Sequence, residues 1–364
     1  MVRPLRAVFV VPYPPGLAGG QRYRFEQWLR LIPEGRVESS IVPLWRERDY
    51  AMLWAPGRTG AKMAATCFAA LRRLSQLRAA KRADVVWLYR EAFPLGPPVA
   101  DLLVERGAPT VLDFDDAIWI RTSSAANRWV ERLKQPSKVA TVASQAAIVT
   151  VGNAYLASWA QRFAQRVVIL PTTLDVERCQ PSYEHLGVNR PVVVGWVGSP
   201  TTGSHLQLID TVLERLSGDP RIELRLIGAP RLVLNRAPSV VVRPWQAASE
   251  EADIGSLDIG LMPLPDDEWA RGKCGFKALH YMAHGVPPVV SPVGVNAEIV
   301  EHGVNGLHAT SDEEWLEGIA LLAKDPGLRS ELGRAARETV VERFSGQRWA
   351  GRFVEVLEEA ASLR

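Results

Sequence analysis

The sequence predicts an α/β protein of two Rossmann-like domains, each a doubly wound parallel sheet, and three observations carry that expectation. Its 364 residues suit two domains at roughly 100–200 residues apiece. Short runs rich in valine and isoleucine alternate with helical segments from end to end, as parallel strands joined by crossover helices require. A polar stretch without clear periodicity, LDVERCQPSYEHLGVNRP, splits the alternation into two series.

In the first series the strands are read at RAVFVVPY, SSIVPL, DVVWLYR, TVLDF, AIVTVG and VVILPT, and in the second at VVVGWVG, IELRLIG, SVVVRPW, DIGLMPL and PPVVSPV. The domains then run over 1–172 and 191–344, with 173–190 as linker. In the tail SGQRWAGRFVEVLEEAASL, Trp349, Phe353, Val356 and Ala360 fall on one helical face, which has to pack on something. Helix 345–364 either stays on the nearer domain or crosses back to the first, and it is assigned to the first. Ligands of open α/β sheets bind outside the carboxyl ends of the strands, so two such domains facing a cleft would both present loops to it.

Hydrophobic residues make up 47% of the chain, enough for two cores, and 23% are charged, enough for solubility. No apolar run nears the ~20 residues needed to span a bilayer. The opening AVFVV is too short for the core of a signal peptide, is interrupted by Pro12 and reads as a first buried strand. Cys67, Cys179 and Cys274, odd in number and far apart, form neither a disulfide framework nor a zinc pattern, which points to the reducing cytoplasm.

A formal net charge of +3 hides an asymmetry: residues 1–180 hold 25 Lys and Arg against 15 Asp and Glu, while residues 181–364 hold 18 against 25. Arg58, Lys62, Arg72, Arg73, Arg78, Lys81 and Arg82 cluster around one helical stretch. They make a solvated face or meet an acidic partner. Without interleaved aromatics or a nucleic-acid motif, an anionic membrane surface at the inner face of the membrane fits better than nucleic acid.

Candidate chemistry gathers where strands end. In VVVGWVGSPTTGSH, a strand stops at Gly198 and a helix begins near Gly203, so Ser199, Thr201, Thr202 and Ser204 would offer hydroxyls and free backbone N–H groups to an anion, or simply cap the helix. Gly228 and Trp245 end the next two strands on the same side, where a tryptophan can stack on a nucleobase or plug an edge. RGKCGFKALHYMAHGVPPVVSPVG puts Arg271 and Lys273 ahead of a short helix at FKALHYMA, with Lys277 and His280 off its core face and Gly285 and Pro287 stopping it. Cations at the positive end of a helix are unfavourable unless an anion binds among them.

In the first half, Gly19 and Gly20 lie between the first strand and a helix, where paired glycines let backbone approach a ligand. Their spacing is not the dinucleotide fingerprint, and no phosphate-binding G-x-x-x-x-G-K-[ST] loop or G-x-S-x-G elbow occurs. VLDFDDAIW places Asp113, Asp115 and Asp116 at a strand end, able to bind a metal, orient a hydroxyl, share a proton or cap the next turn, with Asp116 on the opposite face from the other two.

These residues resemble the retaining GT-B glycosyltransferases of family 4. The specific part is K-C-G-F-K-x-L-x-Y-M-A-x-G-V-P-x-V-x-S-P-V-G followed by NAEIVEHGVNGL, and the second half resembles the family's nucleotide-sugar domain from VVVGWVG to ERFS. The first half is similar more loosely, through GG, YREAFPLG, DFDDAIW and VGNAYLASWA. The resemblance implies a GT-B fold and a UDP- or GDP-linked sugar donor held by the second domain. The acceptor, a sugar or a lipid-linked molecule, would be held by the first, and transfer would proceed with retention by a front-face route. It implies no cofactor and no metal, since cations and amides can hold the charge of a departing diphosphate.

Carried onto this chain, the diphosphate would meet Gly19, Gly20, Ser199, Thr201, Thr202, Arg271, Lys273 and Lys277, and the nucleoside Gly228, Trp245 and His280, with Asp115, Asp116 and Lys273 in catalytic roles. Departures from the family are specific. Its two glutamates eight positions apart are replaced by Gly272 and His280, its arginine and lysine after the first strand of the second domain are missing from GSPTTGSH, and a first-domain histidine is absent near Asp115 and Asp116. A sugar-nucleotide 2-epimerase, or an inactive sugar-nucleotide-binding partner of a transferase, are the competing readings.

Overall fold

The computed structural model describes residues 3–54, 57–121, 133–181, 190–199, 202–228 and 239–363. It divides into two compact units, Met1–Thr172 with Trp349–Arg364, and Thr173–Arg348. Each contains a six-stranded, wholly parallel sheet.

In the first unit the strands are β1 (Leu5–Val11), β2 (Val37–Pro43), β3 (Val85–Tyr89), β4 (Thr110–Phe114), β5 (Ile148–Val151) and β6 (Val167–Ile169), in the order β2-β1-β3-β4-β5-β6. VVWLY and TVLDF are buried at every position, because a central parallel strand is covered on both faces and has no solvent side to alternate towards. The order reverses between β1 and β3, and open α/β sheets commonly bind ligands at the carboxyl ends of strands at such a reversal.

Helix Gly346–Ser362 closes this unit's core. Phe353 lies 5.0 Å from the Trp87 ring and 5.1 Å from that of Trp28, and Val356, Leu357 and Ala360 are buried beside Phe9 and Phe25. Its apolar face is thereby removed from water within the first unit, although the preceding helix, Pro326–Phe344, belongs to the second.

The second unit contains β7 (Val192–Val197), β8 (Ile222–Ile227), β9 (Val240–Arg243), β10 (Ile259–Met262), β11 (Pro288–Val290) and β12 (Leu307–His308), in the order β12-β11-β10-β7-β8-β9. Strand order reverses between β7 and β10. These two pair only at Ile259 with Val194 and Gly260 with Gly195, then splay. Both glycines are enforced by packing: a Cβ on Gly195 would come within 2.3 Å of Leu257, and one on Gly260 within 2.4 Å of the Tyr281 ring. The Tyr281 hydroxyl fills the opening, accepting from the Val197 N–H at 3.0 Å and donating to the Leu261 carbonyl at 3.2 Å.

Every run read as a strand forms one; β12 went unread because two residues carry no period. The stretch read as a linker is tied into the second unit as far as it is described. Leu174 bridges to Ser345, and the Arg337 guanidinium donates to the carbonyls of Val176 and Cys179, each at 2.8 Å, and to that of Ala283. Residues 182–189 of it lie outside the described residues. Among the described residues no helix is long and apolar enough to cross a membrane.

Candidate functional site

The candidate residues fall in two groups, one in each unit. In the second unit they surround the carboxyl ends of β7 and β10. Helix Phe276–Ala283 starts at Gly275, whose φ of +65° favours glycine and whose Cβ would meet Ile299 at 2.4 Å. This turn aims Lys277 at the end of β7, where its Nζ lies 4.1 Å from the centroid of the Trp196 ring and donates to Thr202 Oγ1 at 3.3 Å.

Among the described residues no carboxylate pairs with Lys277. Burial first, and then the neighbouring Lys273, hold its ammonium well below the usual lysine pKa. His205, which sequence reading passed over, shares this field: burial, Lys277 and Lys273 lower its imidazole to about 4, and its buried Nδ1 has no hydrogen-bond partner. The signal was present as the histidine of GSPTTGSH, but only the fold brings it under the lysines.

Lys273 stands 5.2 Å over the Trp269 ring. Arg271 is held otherwise, in a two-pronged ion pair with Asp266 at 2.7 and 3.1 Å on the exposed surface. Gly294 packs against it, since a Cβ there would meet the Arg271 backbone at 3.0 Å.

The expectation of free amides after β7 is corrected. Ser199 N–H donates to Thr202 Oγ1 at 3.2 Å, and the N–H groups of Thr202 and Gly203 donate to the Ser199 carbonyl at 3.0 and 3.1 Å. A 3-10 turn, Gly203–Ile209, follows instead of an α-helix, so the Thr202 hydroxyl and the Lys277 ammonium, rather than bare amides, gather at the end of β7. Thr201 lies outside the described residues.

Gly228, at φ +81°, brings three strand ends together: a Cβ would clash with the Gly198 carbonyl at 2.1 Å and touch Trp245 at 3.1 Å. The Trp245 indole N–H donates to Glu250 at 3.0 Å, which fixes the ring edge. His280 does not project from its helix as expected. It is fully buried with Nε2 3.1 Å from Glu251 Oε2, so a ribose has no access to that nitrogen.

Glu251 gathers more than His280. His284 Nε2 lies 2.9 Å and Cys179 Sγ 3.6 Å from the same carboxylate oxygen. Burial opposes its charge, yet hydrogen bonds from the two imidazoles hold its carboxyl well below the usual range. From the sequence alone no H-x-x-x-H metal pair and no cysteine–histidine arrangement is expected, and this is corrected: H-Y-M-A-H sets His280 and the helix-capping His284 four apart, and the fold brings Cys179 beside them.

In the first unit, Gly20 is packed where a side chain cannot fit, its Cβ position 2.5 Å from the Tyr89 hydroxyl and 2.7 Å from Asp115, whereas Gly19 faces open space. Asp115 accepts from Tyr89 at 2.8 Å and from Arg90 at 2.8 and 3.1 Å; Asp116 accepts from Arg90 at 2.5 Å. The two carboxylates therefore share one guanidinium instead of pointing to opposite faces. Burial disfavours the charge on Asp115, but Arg90 and Arg24 hold its pKa below the usual value. Arg90, set at φ +63°, is a site residue the sequence reading missed. Asp113 is corrected to a core role, buried against Arg24 and accepting from Thr150 at 2.8 Å.

The basic cluster also changes character. Arg73 is buried and donates to the carbonyls of Val11, Val42 and Ala92 at 2.7–2.9 Å, and Lys62 is buried too. Arg58, Lys81 and Arg82 stay exposed at the ends of helix Thr59–Ala80, and between them the helix exposes an apolar stripe, Met63, Phe68, Leu71 and Leu74 at 53–70%.

Residues 191–325 match the family model described as glycosyl transferases group 1. A D-inositol 3-phosphate glycosyltransferase from Saccharomonospora viridis is 27% identical over 238 residues, which are 64% of this chain and 48% of that protein. The chain thus spans about half the length of this curated relative. Sucrose-phosphate synthase from Thermosynechococcus elongatus superposes with a TM-score of 0.72 at 13% identity, covering 100% of both chains. Anabaena HepE in complex with UDP and glucose superposes with a TM-score of 0.69 at 15% identity, covering 97% of this chain and 99% of that one. With its two parallel sheets and these neighbours, the chain has the GT-B fold, and the part of its second unit from 191 to 325 is similar to glycosyl transferases group 1.

Proposed function

We propose that the chain is a retaining glycosyltransferase that moves a sugar from a UDP- or GDP-linked donor, held by the second unit, to a saccharide or lipid-linked acceptor held by the first. Lys277 carries this reading. A lysine packed on an indole beside a second lysine, without a carboxylate partner among the described residues, is costly until an anion arrives. It stands where the strand order reverses, the usual ligand crevice of such sheets. HepE, with a similar fold, has been crystallised with UDP, which supports a nucleoside diphosphate as that anion.

As the bond from the anomeric carbon to the diphosphate breaks, negative charge grows on the leaving oxygen. Lys277 and Lys273 hold that charge where it develops, which lowers the barrier. The same oxygen accepts the acceptor's hydroxyl proton while the acceptor oxygen bonds the anomeric carbon from the face just vacated. Configuration is then retained, and no divalent ion is needed for the transfer. Gly228 and Trp245 suit the nucleoside. Asp115 and Asp116, braced by Arg90, suit acceptor hydroxyls as fixed acceptors rather than as a proton-transferring base, since Asp115 stays ionised. The exposed stripe of helix Thr59–Ala80 supports peripheral contact with an anionic membrane at its cytoplasmic face.

A thermal-shift screen of sugar nucleotides tests the donor. A ligand at 100 times its dissociation constant adds about 2.7 kcal/mol of stability. Stabilisation with turnover supports a transferase, stabilisation without turnover a binding partner, and stabilisation by no UDP- or GDP-linked sugar removes the proposal.

A further inference from the structure

We propose that Cys179, Glu251, His280 and His284 form a structural zinc site in the second unit. Their donor atoms all lie within 4.8 Å of one another. Cys179, His280 and His284 are almost wholly buried, at 1%, 0% and 2% exposure, while the Glu251 side chain keeps an edge to solvent. A sulfur, two imidazole nitrogens and a carboxylate oxygen make a four-ligand protein set of the kind that closes a tetrahedral zinc site.

The spacing suits a metal. Bonds of about 2.0–2.3 Å in tetrahedral arrangement put donors roughly 3.3–3.8 Å apart. Here Glu251 Oε2 stands 2.9 Å from His284, 3.1 Å from His280 and 3.6 Å from Cys179, and no donor pair is wider than 4.8 Å, so shifts of about an ångström around a central ion bring the four to that spacing. Charge also balances, because one thiolate and one carboxylate neutralise a divalent cation, and a buried neutral site avoids the cost of an uncompensated ion. On binding, the Cys179 thiol releases its proton to solvent and its sulfur lone pair forms the metal bond, while the Nε2 protons that His280 and His284 direct at Glu251 pass to Nδ1, so that each Nε2 lone pair takes a metal bond.

The surroundings hold the ligands as an outer shell does. His284 Nδ1 lies 3.4 Å from the Gln180 carbonyl, an arrangement that leaves Nε2 for the metal. Gly255 makes room for that ring, since a Cβ there would sit 3.1 Å from His284 Nδ1. Arg337 grips the carbonyls of both Cys179 and Ala283, fixing the two chain segments that supply three of the four ligands. A metal here would clamp residue 179 and helix Glu250–Gly255 to helix Phe276–Ala283, one turn beyond Lys277. It takes no part in sugar transfer, so it stands or falls apart from the proposed activity.

The test uses the untagged full chain, stripped with chelator and reloaded with Zn²⁺ or Co²⁺. The expected result is one zinc per chain by elemental analysis, a higher melting temperature on reloading, and a cobalt spectrum with intense tetrahedral bands and a thiolate-to-cobalt charge-transfer band. Cys179→Ser should abolish the charge-transfer band, and His280→Gln with His284→Gln should weaken zinc by more than the about 10- to 100-fold that loss of an outer-shell partner brings. His302→Gln, outside the cluster, should leave binding intact. Substoichiometric zinc, an octahedral cobalt spectrum without the sulfur band, or loss of binding in His302→Gln alone would overturn the site. If the double variant does not fold, the spectrum of the unaltered chain decides on its own.

Discussion

The Tyr281 hydroxyl accepts a hydrogen bond from the Val197 N–H at 3.0 Å, bridging β7 to the helix that carries Lys277. Its other hydrogen bond, to the Leu261 carbonyl, spans the splay between β7 and β10. One side chain thereby satisfies two backbone groups that parallel pairing would otherwise satisfy, while holding open the crevice beside them. Tyr281→Phe should leave both groups unpaired and destabilise the chain by on the order of 1–3 kcal/mol in denaturant titration. A loss below about 0.5 kcal/mol would mean that water replaces the hydroxyl.

Lys277 should couple donor binding to protons. Burial and Lys273 depress its pKa in the free protein, and a bound diphosphate would raise it again, so binding takes up a proton at pH values above the depressed one. UDP affinity should therefore fall as pH rises through that range. Titration calorimetry in buffers of different ionisation enthalpy should show the uptake, and Lys277→Met should abolish it. The same variant should weaken UDP far more than uridine; equal losses would deny the lysine a diphosphate role.

Glu105 should make the first unit sensitive to alkali. Burial, and then Asp101, raise its pKa from 4.5 to about 8, and neither of its carboxylate oxygens has a hydrogen-bond partner. With the folded value above the unfolded one, the unfolded state loses the proton first. The stabilising contribution is whole below about pH 4.5 and is lost as pH climbs through about 8, at up to about 1.4 kcal/mol per unit of displacement. Glu105→Gln should raise the melting temperature at about pH 8.5 and leave it unchanged at about pH 4; an equal gain at both would assign the effect to packing.

The exposed stripe of helix Thr59–Ala80 should govern membrane contact. Phe68→Asp with Leu71→Asp replaces two apolar residues that are 70% and 65% exposed, so folding should be little affected. Sedimentation with phosphatidylglycerol vesicles should drop several-fold. Unchanged sedimentation would leave the stripe without a role at lipid.

Much of this protein was legible without coordinates, because local rules govern it. Parallel strands buried on both faces read as apolar runs, and the motif KCGFK is specific because Gly275 must take a left-handed turn against Ile299 for Lys277 to reach the end of β7. Roles that depend on partners far along the chain were not. Asp113 looked like part of an acidic site until Arg24, 89 residues away, was found to neutralise it in the core. His280 looked available until Glu251 claimed it, and Cys179 seemed isolated although the fold sets it beside two histidines more than a hundred residues on. Periodicity and turn chemistry determine which segments become strands and helices, since those forces act between near neighbours. Which charges meet, which are buried and which await a ligand is settled only when distant segments pack, because pairing and desolvation depend on distance in space.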